Sequence, residues 1–426
     1  MKKILFTTIL SAVLIMLAAC GGDKKESVDG EGNKKVEIEF WHMLTNDAEE
    51  WVDRKATEFE KDNPGVSVKV VANTGDAFKQ KMTVAMNGGN PPDVFLNYGG
   101  GWLKQFVDQG NVLEITEDID KDLYVEAALD AVSYDEKVYG VPLSLTVDVI
   151  WYNKEIFKEY GLEVPETFEE LKEIVAVLTE KDIYPFALAN KSKWPGSYTY
   201  MNMVTRLAGH ELFDSALART GKGFDDPAFI EAGKNIQDLV EMDAFNPGFN
   251  GLPYNEGGSR QLFYTGKAAM FSMHNAVLND FHIEAPDFVD KVGFFMFPTM
   301  DGGKNDMTQI GGAISPAWSV SAKAKNPEMS TEFVKYLTSE EAAQEYADAT
   351  GSVTAIKGVY PEGELEKLFS EIILNASYIQ SPYDQALPPE LAELHKDTLQ
   401  ATYGMSITPE EAAKRMEEKA VELLDK

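Results

Sequence analysis

The sequence predicts an α/β protein with two lobes, and two observations carry this prediction. Strand patterns alternate with amphipathic helical patterns over roughly sixty residues that follow position 35, which is typical of βαβ units with a parallel sheet. The chain beyond that position has about 390 residues, which is more than one compact core usually holds. We therefore expect two lobes, each with its own core.

Two alternating patterns and one apolar run predict the first strands. Residues 36–40 (Val-Glu-Ile-Glu-Phe) and 66–70 (Val-Ser-Val-Lys-Val) alternate apolar and polar side chains, as half-buried strands do. Residues 93–96 (Asp-Val-Phe-Leu) form the short apolar run that is typical of a buried parallel strand.

Helical patterns separate these strands. We expect the first helix to be capped by Asn46 and to bury Val52 and Phe59 on one face. A second helical pattern covers residues 77–86, and the glycines and prolines of residues 88–92 end it. The order strand, helix, strand, helix, strand follows.

Strand and helix patterns also occur later in the sequence. Residues 149–152 and 292–297 are apolar and aromatic, and we expect a strand at the first of them. Thr167 is the first residue of a capping-box sequence, and Thr338 and Thr408 are placed to cap two C-terminal helices.

The N-terminal residues indicate export. Two lysines precede an apolar run over residues 4–17, which is too short to span a bilayer comfortably. Leu-Ala-Ala-Cys-Gly then resembles the bacterial lipobox, so we expect residues 1–19 to be a signal peptide and Cys20 to be lipidated. The polar residues 20–35 predict a flexible tether. This arrangement places the protein on the outer face of the bacterial cell membrane.

Charge and cysteine content exclude several kinds of partner and site. The formal net charge of −31 argues against nucleic acid or an anionic membrane surface as the ligand. Cys20 is the only cysteine, so neither a disulfide framework nor a cysteine-based metal site can form.

Motifs of catalysis are missing from the sequence. It has no GxxxxGK[ST], GxSxG or HExxH segment, and its five histidines include no pair at i, i+4. We therefore expect no enzyme, no metal and no cofactor. A glycoside hydrolase needs only two suitably spaced carboxylates, and 70 acidic residues neither select nor exclude such a pair, so this alternative stays open.

Four tryptophans lie beside loop signals: Trp41, Trp102, Trp194 and Trp318. A sugar has an apolar C–H face, which a flat aromatic ring can cover, and a rim of hydroxyls, which amide and carboxylate groups can bind. We expect at least two of the four to contact a carbohydrate. The alternative, that each packs against the core or a loop, stays open for any single one.

Seven segments form an ordered set that spans nearly the whole chain after position 35: 39–42, 63–66, 91–94, 139–143, 151–157, 263–270 and 311–312. This set resembles family 1 extracellular solute-binding proteins. Residues 97–102 and 383–385 resemble the oligosaccharide-binding branch of that family, which serves carbohydrate ABC importers.

This resemblance implies a periplasmic-binding-protein-like fold in which a hinge joins two lobes and the ligand binds in the cleft between them. Hinge closure around a ligand is well known for this class of protein. The expected N-lobe comprises residues 36–145 and 277–323, and the expected C-lobe comprises residues 146–276 and 324–426.

The resemblance also implies partners and site residues. The partners are an oligosaccharide, the permease subunits of an ABC importer and, through the lipid anchor, the membrane; the protein itself is expected to be a monomer. A polyamine or an iron chelate is the alternative ligand. Where the family often has Gly-x-Trp, this chain has residues 271–275, so His274 or Asn275 is the substitute candidate. The expected ligand-binding residues are Trp41, His42, Asn46, Asn97, Trp102, Asp148, Trp194, Tyr198, His274, Asn275, Trp318, Asp384 and Gln385.

Overall fold

The computed structural model describes residues 36–73 and 75–425. The predicted signal peptide, the lipidation at Cys20 and the tether of residues 20–35 lie outside the described residues. Within the described ranges, no helix is both long and apolar enough to cross a membrane.

The helices of the described chain alternate with strands in its first third and dominate its last third. They are α1 (Asn46–Asp62), α2 (Gly75–Asn87), α3 (Gly100–Asp108), α4 (Glu126–Asp130), α5 (Lys154–Tyr160), α6 (Phe168–Thr179), α7 (Pro195–Ala208), α8 (His210–Ala218), α9 (Pro227–Glu241), α10 (Gly258–Tyr264), α11 (Val277–Glu284), α12 (Pro327–Leu337), α13 (Glu340–Thr350), α14 (Glu364–Leu374), α15 (Tyr383–Ala386), α16 (Pro389–Tyr403) and α17 (Pro409–Leu424).

The strands of the same ranges are mostly short. They are β1 (Val36–His42), β2 (Val66–Ala72), β3 (Val94–Asn97), β4 (Ser133–Tyr134), β5 (Lys137–Val138), β6 (Val141–Pro142), β7 (Ser144–Leu145), β8 (Asp148–Asn153), β9 (Tyr184–Phe186), β10 (Ala268–His274), β11 (Val292–Phe295), β12 (Gln309–Gly311), β13 (Ala317–Val320), β14 (Val353–Thr354) and β15 (Tyr378–Gln380).

The first lobe is built on a sheet of strand order β2-β1-β3-β13-β6. Strand β1 runs parallel to both β2 and β3, as the sequence predicts, and β13 runs antiparallel to β3 and β6. Helix α1 packs on β2, and α12 and α13 pack on α1. Val52 and Phe59 of α1 are buried, as predicted, because they share the face that meets the sheet.

The second lobe is built on a sheet of strand order β11-β8-β10-β9. Strand β8 is antiparallel to β10 and β11, and β9 is parallel to β10. Trp151 in the middle of β8 is fully buried, with its ring edge-on to Phe281, Phe294 and Phe369. Two sheets, each covered by helices, confirm the predicted α/β fold.

Hydrogen-bonded crossings join the two lobes. Thr146 donates its N–H to the carbonyl of Ala313 (2.8 Å), and Ser315 donates its N–H to the carbonyl of Ser144 (3.0 Å). Strand β14 pairs with β7 beside them. The crossings therefore run side by side and bond to one another, so they form a hinge of paired strands.

The lobe boundaries differ from those predicted. Strand β11 pairs with β8 in the second sheet, although the sequence analysis placed residues 277–323 in the first lobe. Helices α12 and α13 pack on α1 of the first lobe, although residues 324–426 were placed in the second. Local patterns identify a strand or a helix, but they carry no information about its distant partner.

Local capping signals are partly confirmed. Thr167 forms the predicted capping box with Glu170, and Thr408 accepts a hydrogen bond at the start of α17. The predictions for Asn46 and Thr338 are wrong by one residue: Asn46 is the first residue of α1, and Ser339 caps α13.

Candidate functional site

Two polar side chains meet where β8 begins and β10 ends. Asp148 is the first residue of β8, His274 is the last residue of β10, and the two are direct partners in the antiparallel ladder. Residues directly opposite each other in such a pair project from the same face of the sheet. The structure therefore brings these two predicted site residues side by side.

Burial controls the protonation of both groups. Asp148 is 3% exposed, and neither of its carboxylate oxygens has a hydrogen-bond partner within the described residues. Burial raises the pKa of the Asp148 carboxyl well above its usual value. Burial also lowers the pKa of His274 to about 4, and the Nδ1 atom of this ring likewise has no described partner. Both side chains are thus driven toward their neutral forms.

Aromatic rings pack next to Asp148 and His274. The ring of Tyr198 lies edge-on to His274, with centroids 6.0 Å apart, and edge-on to Trp194 at 5.8 Å. Trp194 in turn meets the ring of Tyr254 at 4.7 Å. We call these four residues, Trp194, Tyr198, Tyr254 and His274, the aromatic wall.

Helix α7 places several of these groups on one face. Trp194 precedes its first residue, Tyr198 follows four residues later, and Asn202 follows after four more. Asn202 donates its side-chain N–H to the carbonyl of Tyr198 (2.9 Å), while its Oδ1 atom has no described partner. Sequence reasoning missed Asn202 and Tyr254, although the spacing of four residues from Trp194 to Asn202 would have pointed to the first of them.

A glycine leaves room between Asp148 and Asn202. A Cβ atom built at Gly311 would lie 2.5 Å from the Oδ2 atom of Asp148 and 3.2 Å from the Nδ2 atom of Asn202. Both side chains therefore face the main chain at the end of β12. A larger residue at position 311 would push against the carboxyl group.

Groups from the first lobe and from the C-terminal segment face the aromatic wall. After burial, the charges of Asp148 and then Asp384 contribute to the raised pKa of Tyr198. Asp384 Oδ2 lies 3.3 Å from the Nζ atom of Lys79, which lies 5.1 Å from the ring centroid of Tyr98. The predicted residue next to Asp384, Gln385, has an Oε1 atom without a described partner. Residues of both lobes thus lie close together beside the aromatic wall.

Three predicted ligand residues belong to the core of the first lobe. Trp318 is fully buried in β13, and Trp102 is 5% exposed and packs edge-on against Phe106. Asn97 is fully buried, donates to the hydroxyl of Ser319 (2.9 Å) and accepts from the N–H of Gly99. The amide of Asn97 is thus used inside the protein, whereas the indole Nε1 atom of Trp318 is buried without a described hydrogen-bond partner. Ligand contact at these three positions stays a prediction.

Other predicted residues have structural partners near the hinge and the first helix. The Oδ1 atom of Asn275 accepts a hydrogen bond from the N–H of Val147 (2.9 Å), so this side chain stabilises one of the hinge crossings. His42 is fully buried, and its Nδ1 atom accepts the N–H of Leu44. Asn46 is exposed at the start of α1. The Nε2 atom of His42 has no described hydrogen-bond partner, and ligand contact at Asn275 and His42 stays a prediction.

Trp41 is partly exposed at the end of β1, where its indole N–H donates to Glu39 (2.8 Å). It stays a predicted site residue. Within residues 36–73 and 75–425, no group of three or more His, Cys, Asp or Glu side chains is placed to hold a metal ion.

Replacing Asp148 by asparagine is expected to change how stability depends on pH. A carboxyl group with a raised pKa binds its proton more tightly in the folded state. The contribution of Asp148 to stability is therefore fully present below the usual pKa and is lost as pH rises through the folded pKa. The loss amounts to about 1.4 kcal/mol for each pH unit within that interval. Asparagine does not titrate, so the variant lacks this pH-dependent contribution to stability. Urea denaturation from about pH 4 to about pH 7 measures the difference.

The control for this prediction is Asp287→Asn at an exposed position. Its unfolding free energy is expected to follow the wild type at every pH. A constant difference between Asp148→Asn and the wild type across the range would contradict the assignment of a raised pKa to Asp148.

Comparisons with known proteins agree with this architecture. The chain is 29% identical over 370 residues to the multiple sugar-binding protein of Streptococcus mutans, covering 84% of this chain and 83% of that protein. A solved structure from a study of xylan utilization by Caldanaerobius polysaccharolyticus is 31% identical, with a TM-score of 0.83 over 90% of this chain and all of that one. The solute-binding protein RafE in complex with raffinose is 26% identical, with a TM-score of 0.73 over 90% of this chain and 100% of that one.

The family model described as bacterial extracellular solute-binding protein matches residues 45–344, which is more than half of the 426 residues. The order of motifs in the sequence, the two lobes with their hinge and the extent of this match agree with one another. The chain belongs to the family of bacterial extracellular solute-binding proteins.

Proposed function

We propose that this protein captures a carbohydrate in the cleft between its lobes and delivers it to the permease subunits of an ABC importer. The ligand we propose is an oligosaccharide, such as a xylo-oligosaccharide or a raffinose-type sugar. The observation that carries the proposal is the aromatic wall beside buried acceptor groups that have no described donor.

The chemistry of the cleft matches a sugar on two counts. The partly exposed ring of Trp194 offers a flat apolar surface, which suits the C–H face of a pyranose. The side-chain oxygens of Asp148, Asn202 and Gln385 are acceptors without partners in the described chain, and a buried acceptor without a donor is costly. A sugar ring carries hydroxyl donors at many positions, so one ligand can both stack on the aromatic ring and donate hydrogen bonds to these oxygens.

Asp148 takes part only if the cleft changes shape, since its oxygens are buried in the present arrangement. Movement at the hinge would open the wall on which it lies. The energy of such a change comes from the difference between the ligand's interactions with the two arrangements. We therefore assign first contact to Trp194, which is partly exposed, and later contact to Asp148 and Asn202, once the lobes have moved.

The relatives support the same class of ligand. They include a multiple sugar-binding protein, a maltodextrin-binding protein of Bacillus subtilis that is 26% identical over 422 residues, and RafE with bound raffinose. Lipidation at Cys20 would hold the protein at the outer face of the membrane, where it would meet the permease as a monomer.

The proposal is tested by intrinsic tryptophan fluorescence during titration with raffinose, stachyose, xylotriose, maltotriose and chitotriose. A saturable change with one series is expected, because Trp194 lies in the aromatic wall. A response to spermidine or to an iron chelate and to none of the sugars would overturn the carbohydrate assignment. Release of shorter sugars during incubation would favour a glycoside hydrolase instead.

A further inference from the structure

The four-residue helix α15 touches both lobes. The strand before it, β15, pairs with β12, and the helix after it, α16, packs on α7, α9 and α17. Those elements belong to the second lobe. Helix α15 also contacts α3 of the first lobe. It is therefore a bridge between the lobes outside the paired strands of the hinge.

An aromatic residue anchors α15 in the second lobe. Tyr383 is 2% exposed, and its ring stacks on Phe213 with centroids 4.1 Å apart and planes at 14°. Its edges meet the rings of Tyr200 and His395. A single turn of helix has almost no stability of its own, so this buried ring keeps α15 with the second lobe.

Glycines form the surface of α3 that meets α15. A Cβ atom built at Gly101 would lie 2.9 Å from the carbonyl carbon of Leu387 and still closer to the carbonyl oxygen of Ala386. At Gly100 it would lie 3.1 Å from the carbonyl oxygen of Gln385. Contacts under 3.0 Å are essentially never made by real Cβ atoms. Only glycine at position 101 lets the two main chains approach this closely.

An ion pair lies at the same contact. Asp384 of α15 lies 3.3 Å from the ammonium group of Lys79 on α2, and the carboxylate is 9% exposed in its side chain. The attraction is stronger at such a sheltered position than between fully exposed charges. The first lobe thus holds α15 by main-chain packing and by charge.

We propose that α15 is an interlobe latch, which closes on Gly100 and Gly101 and stabilises the closed arrangement of the two lobes. A rotation about the hinge must separate α15 from one lobe. The stacked Tyr383 keeps it with the second lobe, so the contact with α3 is the one that opens. Opening then exposes the cleft that the latch otherwise holds shut.

The test uses Gly101→Ala and a distance measurement without sugar. Val84 on α2 and Val421 on α17 are 72% and 46% exposed, and replacing both by cysteine in a Cys20→Ser chain leaves two thiols for spin labels. We expect Gly101→Ala to lengthen the distance between the labels and to lower the ratio of short to long distances roughly tenfold, the scale of overpacking a tight contact. Gly251→Ala, where a Cβ meets no atom within 4 Å, is expected to match the wild type.

A distribution for Gly101→Ala that equals the wild type, in a protein with unchanged circular dichroism, would overturn the latch. If this variant fails to fold, Lys79→Gln decides the matter, because it removes the ion pair and leaves the glycines in place. It is expected to shift the distances in the same direction by a smaller amount, and no shift would overturn the proposal. Because no sugar is present, either result leaves the proposed carbohydrate capture to its own test.

Discussion

Replacing Trp318 by alanine is expected to lower the free energy of unfolding by about 3–5 kcal/mol. The side chain is fully buried in β13, which lies between β3 and β6, and its ring is edge-on to Phe40 at 5.2 Å. Alanine leaves a cavity that the surrounding sheet cannot fill. Urea denaturation followed by circular dichroism measures the loss.

Trp318→Phe is the matched control, because it keeps an aromatic ring in the same space. It is expected to lose much less stability than Trp318→Ala. A change below about 1 kcal/mol for the alanine variant, typical of surface substitutions, would contradict the core position of Trp318.

Replacing Trp194 by alanine is expected to weaken carbohydrate binding by about 1–3 kcal/mol, by analogy with aromatic stacking on other planar ligands. This is a rise in Kd of roughly 5-fold to 150-fold. The ring is partly exposed and meets the rings of Tyr198 and Tyr254. Isothermal titration calorimetry with the sugar that gives the largest fluorescence change provides the measurement.

Two further variants serve as controls for the Trp194→Ala measurement. Trp194→Phe keeps a flat apolar face and is expected to retain most of the affinity. Tyr184→Ala removes a partly exposed aromatic residue from the edge strand β9 and is expected to leave Kd unchanged. If Trp194→Ala binds the sugar with wild-type affinity, Trp194 is not part of the binding site, and the description of the fold is unaffected.

Local structure was readable from the sequence where one face of an element is buried. The alternation in β1 and β2 predicted strands because a period of two puts every second side chain on the core face, and both strands are present. The capping box at Thr167 was readable because its two hydrogen bonds involve residues only three positions apart.

Pairing between distant segments was not readable. Strand β11 joins β8 in the second sheet, and α12 and α13 join α1 in the first lobe. The choice of partner depends on the shape of the assembled core, to which many segments contribute. For the same reason the predicted lobe boundaries differ from the structure.

The candidate site was predicted in part for a similar reason. Trp194, Tyr198, His274 and Asp148 are brought together, whereas Trp318 is a core residue. Both tryptophans lie beside loop signals in the sequence. Nothing in those local residues says whether a ring turns toward a cleft or toward the interior.

The position of β13 has a consequence for the order in which the chain folds. This strand lies between β3 and β6 in the first sheet, yet it follows both of them by far in the sequence. During synthesis or export, the edges of β3 and β6 that pair with β13 have no partner until residues 317–320 are present. Unpaired strand edges can form hydrogen bonds with other chains. The first lobe is therefore completed late, after most of the second lobe has emerged, and a chain that stops before β13 keeps these strand edges unpaired.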